Sequence, residues 1–93
     1  MATVEFVQKA AYMGRRTDWT VPWVNVSGKW RVIDNKALVK NPTKVNAYDE
    51  YADAIFRIQN TMEQLGWKTE LSERKQDCHE HLYYVHHMLI CTK

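Results

Sequence analysis

The ten residues from Leu82 to Cys91 carry no carboxylate, lysine or arginine, and this run constrains the chain more than any other segment. Its even positions are Leu82, Tyr84, His86, Met88 and Ile90; its odd positions are Tyr83, Val85, His87, Leu89 and Cys91. Successive side chains of a strand point to opposite faces. Neither set is polar, so the run predicts a central strand from about His79 to Thr92, covered on both faces. It is far shorter than the roughly 20 apolar residues of a membrane-spanning helix.

What covers such a strand has to come from the rest of 93 residues. A helix is predicted from about Ala47 to Leu65, capped by Asn46, with Asp49 and Glu50 in its first turn and Gly66 as its stop. Tyr51, Ile55, Ile58, Met62 and Leu65 recur at helical spacing, and Tyr48, Ala52 and Phe56 widen that stripe. Thr3 to Met13 reads as a second, short helix capped by Thr3 and ended by Gly14, although Thr-Val-Glu-Phe-Val also suits a strand. Trp19 to Ile33, rich in aromatic and β-branched residues around Ser27-Gly28, predicts a hairpin. Pro22 cannot donate to a ladder, so the first strand of that hairpin is an edge or begins after it. Asn41-Pro42 marks a turn in a basic connector from Lys36 to Lys44. Trp67 to Leu71 alternates as a half-buried strand, and Ser72 to Asp77 reads as a charged loop.

The expected architecture is one α+β domain spanning residues 1–93. It is an antiparallel sheet of about four strands in two hairpins, packed by one long and one short helix. The long helix covers one face. The short helix, or a second subunit, covers the other, which makes a homodimer the expected assembly. Hydrophobic residues at 45% and charged residues at 26% are those of an ordinary folded domain and exclude disorder. With no basic n-region or apolar h-region at Met-Ala-Thr-Val-Glu-Phe, the expected location is the cytoplasm. Cys78 and Cys91 are then expected as free thiols.

The net charge of +2 conceals a polarity: residues 1–47 sum to +5 and residues 48–93 to −3. The basic half holds Arg15, Arg16, Trp19, Trp23, Lys29, Trp30 and Arg31, which form the candidate partner-binding surface. Trp and Arg dominate protein hot spots, so a protein partner is the first reading of this cluster. Cations tracking phosphates between rings that stack on bases give the alternative, a single-stranded nucleic-acid-binding face. Core filling by the tryptophans is the competing structural account.

The four histidines, His79, His81, His86 and His87, fall within nine residues, flanked by Cys78 and Cys91. His79 and His81 have a spacing that suits a divalent metal. One ion cannot take both cysteines, because the extended chain separates them by far more than zinc's ~2.3 Å ligand distance. A structural role for the histidines is therefore expected, with no metal and no cofactor. Gly14, Gly28 and Gly66 are isolated, so no phosphate loop is present. Cys78 and His79 are neighbours that would point to opposite faces of a strand, so they do not form a nucleophile–base pair.

These readings converge on a small non-enzymatic protein-binding module that occludes or recruits a macromolecular partner. Compact aromatic-rich domains without catalytic apparatus are common among accessory and inhibitor proteins of phages and mobile elements, and that is the class expected here.

Overall fold

The computed structural model describes residues 2–13, 16–39, 51–75 and 82–93. It is an α+β fold, a single antiparallel sheet with one α-helix on one of its faces among the described residues. The strands are β1 (Thr3–Met13), β2 (Arg16–Trp19), β3 (Trp23–Val26), β4 (Lys29–Val32), β5 (Lys68–Lys75) and β6 (Leu82–Thr92). The helix, α1, is Ala54–Gln64, and a 3-10 turn at Lys36–Leu38 follows β4. The sheet runs β4-β3-β1-β6-β5, and β2 pairs with the far end of β1 on the same side as β3.

The segment predicted as a short N-terminal helix is the long central strand β1. Eleven consecutive residues of it pair with β6, from Thr3↔Thr92 to Met13↔Leu82. The period that prevails is two, not 3.6: Phe6, Gln8 and Ala10 are buried under the helix, while Lys9 is exposed on the other side. Tertiary pairing on both edges overrides a weak local preference here. The strand of the Leu82 to Cys91 run is interior as expected, lying between β1 and β5. Ser72 to Lys75, expected in a loop, extend β5.

The core joins Phe6, Ile55, Ile58, Leu89 and Cys91, with Val4, Val24, Ile33, Leu38, Met62, Trp67 and Leu71 packed around it. The predicted stripe on α1 is half realised. Ile55 and Ile58 are buried and Met62 joins them, whereas Leu65 is 61% exposed at the helix end. Tyr51 to Asp53 form a turn rather than helix. The expected cap Asn46 and the residues Tyr48, Asp49 and Glu50 lie outside the described residues, as do Gly14 and the Asn41-Pro42 turn.

The start of α1 is capped from the sheet. Asp53 at the N-cap makes no side-chain capping bond. Instead Gln8 of β1, fully buried, accepts from the Ile55 backbone N–H at 3.1 Å and donates to the carbonyls of Thr20, at 3.1 Å, and Tyr51. The end of α1 is a Schellman motif. Gly66 N–H donates to Glu63 O (3.0 Å) and Trp67 N–H to Met62 O (3.0 Å), with Gly66 at φ 90°. Met62 and Trp67 both pack on the core, supplying the apolar contact that accompanies this motif.

Pro22 ends the break between β2 and β3, and β3 starts at the next residue. Ser27 (φ 56°) and Gly28 (φ 81°) both sit at positive φ, the signature of a type I′ two-residue turn. A Cβ added at Gly28 would meet nothing within 4 Å. Gly28→Ala should therefore cost only the left-handed backbone penalty, about 1–2 kcal/mol, readable by urea denaturation. Ser27→Asn should leave stability unchanged or slightly raised, because Asn tolerates this conformation.

Candidate functional site

Register decides which side chains share a face. On the helix side lie Val4, Phe6 and Gln8 of β1, Val24 and Val26 of β3, Leu89 and Cys91 of β6, and Leu71 of β5. The other side carries a row that crosses four strands: Val32, Trp23, Val7 and Met88, with Ser72 continuing it on β5. The next row holds Trp30, Asn25, Glu5, Ile90 and Glu70. The row on the opposite flank holds Lys9 and His86. No described element packs on this face. Trp23 is 41% exposed, Trp30 45% and Val32 49%. A shallow pocket of about 380 Å³ opens on it, lined by Val7, Lys9, Trp23, Trp30 and His86.

The structure divides the candidate cluster. It brings Trp23 and Trp30 together on the open face, on adjacent strands and diagonal to one another. Period two sends Lys29 and Arg31 to the helix side, where they line a second groove with Val24, Val26 and Ser27. Both cations are exposed on an edge strand, the kind of placement that blunts unwanted edge pairing. Trp19 also lies on the helix side: it pairs with Ala10, and its ring stands 5.0 Å from that of His87. Phe56 of α1 approaches His87 from a second direction, at 5.9 Å and 65°. Trp19 thus fills space between sheet and helix. Arg16 opens β2, and Arg15 lies outside the described residues.

Reasoning along the chain grouped residues by proximity in sequence and missed Val7, Lys9, His86 and Met88. The signal for the last two was the apolar even parity of the final strand. Lys9 and Val7 came into view only once their segment proved to be a strand. On the open face Asn25 has a solvent-shielded side-chain oxygen with no hydrogen-bond partner among the described residues.

The histidines serve different surroundings. His86 and His87 point to opposite faces of β6, and His79 and His81 lie outside the described residues together with Cys78. Among the described residues no three His, Cys, Asp or Glu side chains are placed to hold a metal ion. Cys91 is a free, buried thiol, its pKa pushed up by burial and then by the Glu63 carboxylate.

Burial, and secondarily the Lys9 ammonium across the β1–β6 ladder, holds the His86 pKa below its ordinary 6.5. The register partner of His86 on β5 is Arg74. The unfolded chain binds this proton more readily than the fold does. The stability contribution of neutral His86 is thus complete above about pH 6.5 and declines as pH falls from there toward the lower folded pKa. Lys9→Met should raise the His86 midpoint in an NMR titration and soften that decline. An unmoved midpoint would leave burial as the sole cause.

No helix among the described residues is long and apolar enough to cross a membrane. Comparison with protein-family models, with curated proteins and with solved structures returned no match for this chain.

Proposed function

We propose that this chain is a non-enzymatic protein-binding module whose contact surface is the open face of its sheet, and that it acts by occluding or recruiting a macromolecular partner. The observation that carries the reading is the pair Trp23 and Trp30, each more than two-fifths exposed, Trp23 in an apolar row with Val7, Val32 and Met88 and Trp30 diagonal to it in the adjoining row. Leaving two tryptophans in water on a sheet face forgoes several kcal/mol of burial, about 25 cal/mol for each Å². Aromatic anchors ringed by mixed charges are the make-up of a protein interface core and rim. Glu5, Lys9 and Glu70 supply that rim here.

The nucleic-acid alternative loses ground on the same geometry. It requires several cations interleaved with rings, whereas Lys29 and Arg31 lie on the face opposite Trp23 and Trp30 and Lys9 is the cation that shares their pocket. Affinity capture from cell lysate, with and without nuclease, tests both readings. The expected result is a stoichiometric protein partner retained after nuclease and lost with the Trp23→Ala, Trp30→Ala variant. Nucleic acid in the eluate, with binding abolished by nuclease, would overturn the proposal in favour of the alternative.

A further inference from the structure

We infer that the protein this face takes is a second copy of the same chain, the two open faces packing as a two-layer sandwich about a two-fold axis along the Val32–Trp23–Val7–Met88 row. The inference rests on reading the open face as a protein interface, and it adds the identity of the occupant and the geometry of the contact.

The argument is one of self-complementarity. A two-fold axis that brings a surface against itself must lie in the plane of the contact. Residues on the axis then meet their own counterparts, and a residue on one flank meets the residue equally far out on the other flank. The row on the axis is the apolar one, Val32, Trp23, Val7 and Met88. On β1 the residues flanking Val7 by two positions are Glu5 and Lys9, of opposite charge, and both side chains share the face of Val7. The operation therefore places Lys9 of one copy over Glu5 of the other, and Glu5 over Lys9, two ion pairs from one symmetry. Each flank lies about 7 Å from the axis at ~3.4 Å per residue. The same rotation reverses strand direction, so the two sheets pack with aligned strands, the common sandwich arrangement at about 10 Å separation. Lys68 sits a further row out at the β5 corner and takes no part in these pairs.

Repeating like charges across this contact should weaken it, and exchanging them should restore it. Sedimentation or light-scattering mass at about 0.1 mM, far above the roughly micromolar Kd of a modest interface, reads the outcome. The wild-type chain is expected at twice its 11.0 kDa mass. Lys9→Glu and Glu5→Lys are each expected to raise the dimer Kd at least ~10-fold by opposing like charges. An equimolar mixture of the two variants should recover a dimer, now a heterodimer, because one copy then carries two acids and the other two lysines. Recovery also proves that both variants are folded, and circular dichroism of each alone checks this independently.

A wild-type monomer at this concentration overturns the inference. A wild-type dimer indifferent to both reversals overturns it too, since the contact then lies elsewhere, such as the β4 edge. If the chain is monomeric yet loses a captured protein when Trp23 and Trp30 are replaced, only the identity of the occupant is wrong. If neither self-association nor capture depends on these residues, the interface reading fails with it.

Discussion

Replacing Gln8 by leucine should destabilise the fold by about 2–4 kcal/mol, although the substitution puts a hydrophobic side chain into a buried position. Gln8 is fully buried in the central strand, and its amide holds three backbone groups from two other parts of the chain. With leucine in place, the Ile55 N–H at the start of α1 loses its acceptor and the Thr20 carbonyl its donor. The Tyr51 carbonyl keeps the Ala54 N–H, at 3.1 Å. Two stranded polar groups at about 1–3 kcal/mol each set the size of the effect. At roughly 4–8 °C of Tm per kcal/mol for a chain this small, thermal unfolding would register it easily. Gln8→Glu sharpens the test. A carboxylate there faces two carbonyl oxygens and donates to neither, so its folded pKa must lie above the ordinary ~4.3. This variant should be least stable at neutral pH and should regain stability relative to wild type as pH falls toward 4.3. Equal unfolding midpoints for wild type and Gln8→Leu would show that the cap is dispensable.

Replacing Trp23 and Trp30 together by alanine should have a different profile, with a large effect on binding and a moderate one on folding. Both rings stand on the face away from the Phe6–Ile55–Leu89 core and more than two-fifths of each is solvated already. Removing them should cost a few kcal/mol of stability in total, at about 25 cal/mol for each Å² uncovered, less than two core rings would. An aromatic anchor at the centre of an interface is worth about 2 kcal/mol or more, roughly 30-fold in Kd. Losing two adjacent anchors should weaken association at least ~100-fold, though the two effects will not simply add. The readouts are partner retention and the sedimentation mass of the variant, with a melting curve beside them. Undiminished association by a folded double variant would remove the open face from consideration.

How much of this was legible before folding depended on whether the deciding signal was local. The Schellman end at Gly66, the turn at Ser27-Gly28 and the restart after Pro22 each follow from one residue's backbone limits, and each could be read directly. The Leu82 to Cys91 run announced an interior strand by composition alone. Thr3 to Met13 did not announce itself. Val4, Val7 and Ala11 fit a helical stripe, and the alternation that prevails, Val4, Phe6, Gln8 and Ala10, is interrupted by a glutamine. A buried glutamine makes sense only once the start of α1 is placed above it, which is information from far along the chain. The candidate site fell between these cases. Lys29-Trp30-Arg31-Val32 alternates strictly, so the separation of its cations from its rings was present in the sequence. It was hidden by treating neighbours in the chain as neighbours on a surface.

The pairing of β1 with β6 also sets a schedule for synthesis. Val4 finds its partner at Cys91 and Phe6 at Leu89, so the central ladder joins the beginning of this segment to its end. Contacts so distant along the chain slow folding, because the loop must close before anything rewards it. At about 5–20 residues per second, the ribosome leaves Val4 and Phe6 without their β6 neighbours for on the order of several seconds. The β1–β2 and β3–β4 hairpins, the β1–β3 ladder and α1 all use residues ahead of β6 and are able to form before it, but they leave the β6-facing edge of β1 open. The nascent chain therefore carries an unpaired β1 edge until almost all of this segment has emerged, and that interval is when a chaperone or an already finished copy has access to it.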